Sequence, residues 1–179
     1  MFEAEFVRDA AVMAAVFGMA GFIWFGWGQE DPPARWRIAL GIGATLSLLV
    51  AIAGGFLAFD NWGPESAVAA KDDRRLFGIV AGTEFALAGI GAAILGLLGR
   101  SRWTSSWICL VTGVHFVPLA VIFSDSGLYV LAALVILAAV ASVAASRRTG
   151  IHPSAIVAVC VGPTLFLFAI RSVITVLAR

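Results

Sequence analysis

The sequence is poor in charge and nearly without lysine. Asp, Glu, Lys and Arg make up 13% of its 179 residues, where a soluble domain carries about a quarter. Lys71 is the sole lysine and lies between apolar stretches, which excludes an intramembrane lysine Schiff base of the retinal type. Of the two histidines only His115 falls inside an apolar stretch, so a bis-histidine haem within a bilayer is excluded. There is no His-Glu-x-x-His, no Gly-x-Ser-x-Gly and no Gly-x-x-x-x-Gly-Lys, which removes the zinc-protease, hydrolase and nucleotide-loop readings. A net charge of +1, without a basic patch interleaved with aromatics, gives no nucleic-acid partner. No motif indicates a cofactor or a metal. Cys109 and Cys160 both sit in apolar stretches and are expected to be packing residues rather than a disulfide. The first nine residues hold Glu3, Glu5 and Asp9 against Arg8. They lack the basic region and small-residue cleavage site of a signal peptide, so the first apolar stretch is expected to remain as a helix.

What the chain has in abundance is apolar sequence, 61% of all residues, gathered into blocks. Six blocks reach the length needed to cross a hydrocarbon core of about 30 Å: Ala10–Trp27, Ile38–Phe59, Leu76–Leu98, Ser105–Phe123, Leu128–Ala145 and Ala155–Leu177. They run continuously, as in Leu48-Leu49-Val50-Ala51-Ile52, whereas barrel strands alternate apolar and polar residues. A continuous apolar span must satisfy its own backbone, and only a helix does so. The expected fold is therefore an all-α integral membrane protein. It is a single transmembrane domain over residues 1–179, a compact bundle of six helices that reads as two inverted three-helix halves. A multi-pass protein of a cell (inner) membrane follows, with the lipid bilayer as its first partner.

The breaks between blocks carry turn chemistry: Asp31-Pro32-Pro33, Asn61-Trp62-Gly63-Pro64, Asp125-Ser126-Gly127 and His152-Pro153-Ser154. The longest connection is Asp60–Arg75, whose second half, Glu65 to Arg75, suits a short interfacial helix. Asp60 and Asp125, at block ends, are expected to be solvated or capping residues. The six tryptophans cluster near block ends, as in an interfacial aromatic belt. One set of connections holds Arg35, Arg37, Arg100, Arg102, Arg147 and Arg148; the other holds Arg8, Lys71, Arg74, Arg75 and Arg179. The first set, three short loops with basic pairs, is expected to be cytoplasmic, with both termini outside. Small residues four apart (Ala14 and Gly18, Gly43 and Ser47, Gly78 and Gly82) suit close helix packing. Such faces serve the interior of the bundle or a homodimer.

Three ionisable residues interrupt the blocks: Glu84, His115 and Arg171. Charges at bilayer depth cost about 2.5–3.5 kcal/mol each on insertion scales, so they turn towards protein or water. Glu84 lies ~4–5 Å from the middle of its block and Arg171 ~7 Å from the middle of its own, towards the same side. His115 is nearly central. Thr112 precedes His115 by three residues, and Pro118 follows it by three, removing a helical hydrogen bond. In the last block Cys160, Thr164, Arg171 and Thr175 fall on one seam beside Pro163. The site expected from this pattern comprises Glu84, His115, Arg171, Thr112, Thr164 and Thr175, with Glu84 close to Arg171. It suits a small transporter or channel with a proton-coupled polar site for an ion or small molecule. The alternative is a binding or sensing protein, or an accessory subunit, in which the trio is a structural network or a lipid, quinone or metabolite contact. A nucleophile with an attendant base is missing, which argues against an enzyme.

Overall fold

The computed structural model describes residues 6–179; Glu3 and Glu5 lie outside the described residues. Among the described residues six helices follow one another: α1 Val7–Trp27, α2 Arg37–Asp60, α3 Lys71–Leu97, α4 Thr104–Ile122, α5 Gly127–Thr149 and α6 Pro153–Leu177. Short 3-10 turns, Ala34–Trp36 and Ser101–Trp103, lead into α2 and α4. Each helix, with its lead-in turn, is long and apolar enough to cross a membrane. Large apolar side chains such as Ile23, Leu49, Phe56, Phe85 and Leu137 stand on the outside of the bundle, a surface that suits lipid.

The ends of the helices follow from local chemistry. Pro153 starts α6 at the position where its missing N–H does no harm. Gly99 ends α3 at φ 66°, with Arg100 N–H donating to Leu95 and Gly99 N–H to Gly96, the paired bonds of a left-handed helix cap. α4 ends the same way, but with Ser124 at φ 50° in the glycine position. That conformation costs a non-glycine residue about 1–2 kcal/mol, and it presents Asp125 to the bundle.

One sequence expectation fails at α3. Glu65–Arg75 is not an interfacial helix: residues 61–70 are irregular, and Lys71–Arg75 is the first turn of α3 itself. The irregular stretch is held by polar bonds instead. Asp9 accepts the N–H of Ala67 at 2.7 Å, Arg8 donates to the Gly63 carbonyl at 2.6 Å, and the Arg8 guanidinium lies 5.0 Å from the Trp62 ring centroid.

Helix α6 is central, packing against α1, α2, α4 and α5. Helix α1 packs on α2 through small residues: a Cβ on Gly18 would lie 2.6 Å from the Ala51 backbone nitrogen, and one on Gly54 would meet the backbone of Ala15. Phe17 of α1 stands edge-on to Phe116 of α4 and Phe168 of α6, joining the two sides of the bundle. Helix α4 meets α5 through Ser106, Cys109 and Gly113. The Ser106 and Ser142 hydroxyls are 2.7 Å apart, and Cys109 donates to the Val135 carbonyl.

Helix α3 differs from the rest. It buries none of its residues and packs on α4 and the turn before it. The third helices of the two halves, α3 and α6, thus have unlike surroundings, one peripheral and one central.

Candidate functional site

The seam between α3 and α4 is built on two turns of each helix. On α4, Trp107, Thr112 and His115 face α3; on α3, Glu84, Leu87 and Gly91 answer them. Glu84 is the middle residue of Lys71–Leu97. Its two oxygens have different partners: Thr112 donates to Oε1 at 3.0 Å, and His115 Nδ1 lies 3.3 Å from Oε2. The side chains are only 17% and 11% exposed, respectively, for Glu84 and His115. The imidazole contact is one of proximity rather than an aligned hydrogen bond, because Nδ1 is buried without a hydrogen-bond partner among the described residues.

Further along the seam the Trp107 indole N–H donates to the Leu87 carbonyl at 3.0 Å. The ring rests on Gly91, where a Cβ would collide with the indole nitrogen. Gly91 is therefore fixed by close approach. The remaining α3 glycines at 78, 82, 89 and 96 have nothing within 4 Å of a built Cβ. Of the small-residue pairs, Ala14 with Gly18 and Gly43 with Ser47 serve internal packing, whereas Gly78 and Gly82 face outwards.

The other expected site residues lie elsewhere. Arg171 takes Asp125, not Glu84, as its carboxylate: Nη2 lies 3.0 Å from both Asp125 oxygens. Asp125 is 1% exposed and also accepts the Gly127 N–H at 2.8 Å. It is buried and paired rather than solvated, and it lies one residue before Ser126, the N-cap of α5. Arg171 reaches it from six residues before the end of α6, over the Phe168 ring. Thr164 and Thr175 each donate to a carbonyl one turn back in their own helix, Cys160 and Arg171 respectively. Of the six residues the structure joins Glu84, His115 and Thr112. Sequence reasoning missed Trp107 as part of this seam, though its spacing of two turns from His115 puts both on one face.

A carboxylate beside an imidazole can share one proton in two ways, on nitrogen as an ion pair or on oxygen as a neutral pair. Both have zero net charge. Loss of that proton leaves a net negative site, which low dielectric penalises and water relieves. Proton occupancy is thereby tied to whether water reaches the seam. No family model, no curated protein and no solved structure matches this chain, so the site stands on its own chemistry.

Proposed function

We propose that this chain is a multi-pass protein of a cell (inner) membrane that acts as a small transporter or channel, with Glu84 and His115 as its proton site. Thr112 holds the carboxylate in place. Arg171 has no part in the site; with Asp125 it locks the α4–α5 turn to α6. The reading rests on one observation: the polar cluster joining α3 to the bundle is at mid-helix, on a helix that buries no residue. A helix that packs mainly on α4 can shift relative to the rest of the bundle, and protonation of the pair decides whether its seam can close without water. Alternation between a neutral closed seam and a charged wetted one carries a proton, and an ion or small solute with it.

The end bearing Arg35, Arg37, Arg100, Arg102, Arg147 and Arg148 carries only Glu30 and Asp31 against them among its acids. Its three short loops, each with a basic pair beside a helix end, support a cytoplasmic placement of this end.

The test uses protein reconstituted into vesicles with an internal pH dye and an imposed potassium diffusion potential. The parent should pass protons faster than protein-free vesicles, and Glu84→Gln should fall to the protein-free rate while still folding. Equal fluxes in the two proteins would sink the proposal.

A second reading, an accessory subunit or homodimer, is favoured by the outward face of α3. Gly78, Gly82, Gly89 and Gly96 stand there beside exposed Phe85, with nothing among the described residues within 4 Å of a built Cβ, a face on which another helix packs closely.

A further inference from the structure

At the arginine-rich end of the bundle, α3, α4 and α5 border an open groove of about 360 Å³, within the range of about 300–1,000 Å³ that ligand sites span. Its lining is mainly apolar, with Leu95, Leu110, Val143, Trp103 and Trp107, and includes Ser106, whose hydroxyl is paired with that of Ser142. Its outer rim carries Arg100, in the turn between α3 and α4, and Arg147, in the last turn of α5. The Arg147 guanidinium lies 5.7 Å from the Trp103 ring centroid.

A third arginine, beside the same Trp103 ring, has a structural task. Arg102 donates to the Ser146 hydroxyl and to the Gly150 and Ile151 carbonyls, tying the start of α4 to the end of α5. No carboxylate lines the groove or pairs with Arg100 or Arg147 among the described residues. Glu30, one of the two acids at this end, is 3.6 Å from His152. Leu110 lies ten residues beyond Arg100 and seven beyond Trp103, so the apolar wall descends ~10 Å along α4 below the rim. Positive charge at the interface above an apolar trough complements one class of molecule, an anionic amphiphile with its head at the rim and its chain along the wall.

We propose that this groove binds an anionic phospholipid of the surrounding leaflet, with the headgroup phosphate between Arg100 and Arg147 and one acyl chain against Trp107 and Leu110. Guanidinium forks match phosphate geometry, and tryptophan faces suit the headgroup boundary. The inference rests on the bilayer placement of the helices and not on the proton site. Occupancy has a consequence for α3, because Trp107 is shared: its ring lines the groove while its N–H holds Leu87.

Native mass spectrometry of the full chain, released from nanodiscs of equal phosphatidylglycerol and phosphatidylcholine, tests this. The parent should retain phosphatidylglycerol preferentially, and Arg100→Gln with Arg147→Gln should cut that preference roughly tenfold or more. Arg35→Gln with Arg37→Gln, at the same end but outside the groove, should leave it unchanged. Val143→Trp, which fills the trough and keeps both charges, should also abolish retention. Three results would each overturn the proposal: preference unchanged in the Arg100/Arg147 variant, equal loss in the Arg35/Arg37 control, or displacement of the lipid by millimolar glycerol phosphate alone. Labelling of single cysteines from each side of the vesicles checks the bilayer placement separately, so a failed lipid preference in a correctly spanning protein counts against the groove only.

Discussion

Arg171 sets one guanidinium nitrogen 3.0 Å from each oxygen of Asp125, joining the centre of the fold, α6, to the turn between α4 and α5. The carboxylate is sealed from solvent, while 29% of the Arg171 side chain remains exposed. Removing one member of a buried pair costs about 3–5 kcal/mol because the other is left charged and alone. Arg171→Gln should therefore destabilise the protein by about 3 kcal/mol, the lower end of that range because the arginine is partly solvated. Unfolding in mixed micelles measures this. The same variant should leave proton flux intact per folded molecule, which separates the lock from the site.

Gly18 and Gly91 are predicted to resist substitution for different reasons. At Gly18 the obstacle is backbone, with Ala51 nitrogen 2.6 Å from a built Cβ, so Gly18→Ala should cost about 1–3 kcal/mol by forcing α1 from α2. At Gly91 the obstacle is the Trp107 ring. Gly91→Ala should break the Trp107–Leu87 bond and raise amide exchange along α3, a change that hydrogen-exchange mass spectrometry localises.

The outward glycines of α3 provide an opposite expectation. Gly82→Ala and Gly89→Ala meet open space, and alanine stabilises a helix interior by roughly 0.5–1 kcal/mol over glycine. In a monomer both variants should be neutral or stabilising. A loss of stability that depends on protein concentration would instead show that this face docks another helix.

Thr112 donates the one aligned hydrogen bond to Glu84. Interhelical hydrogen bonds of this kind in membranes average about 0.6 kcal/mol and reach about 1.7. Thr112→Val, close in shape, should weaken the α3–α4 seam within that range. Thr112→Ser should restore it, and chemical denaturation of the pair of variants reads the difference.

The helices were legible because their signal is long and local. Continuous apolar runs separated by Pro, Gly and Asp placed all six spans within a few residues, the largest errors being at the starts of α1 and α3 and the end of α5. Lys71–Arg75 was misread because charged residues at the start of an apolar helix look the same in sequence whether they cap it or lie along the interface. Glu84, His115 and Thr112 were legible as a cluster because polar groups in apolar helices turn towards one another, and these three are partly buried. Which charge pairs with which was not. Depth matched Glu84 to Arg171, but pairing also depends on which helices touch, and α3 reaches α4 while α6 reaches the α4–α5 turn. Asp125, which looked like a solvated or capping residue, lies one residue before the N-cap Ser126 and bonds the first N–H of α5. Its burial follows from the left-handed Ser124, a conformation that a serine does not advertise.

The most direct test of the proton site is nitrogen NMR of the imidazoles in nanodiscs, with His152→Asn leaving His115 as the only histidine. The account predicts that His115 changes protonation state within about pH 5 to 8, where histidine exchanges its proton. It also predicts that the midpoint moves in Glu84→Gln and stays in place in Arg171→Gln. A His115 signal that keeps one protonation state across that range, or that titrates identically with and without the Glu84 carboxylate, would contradict it.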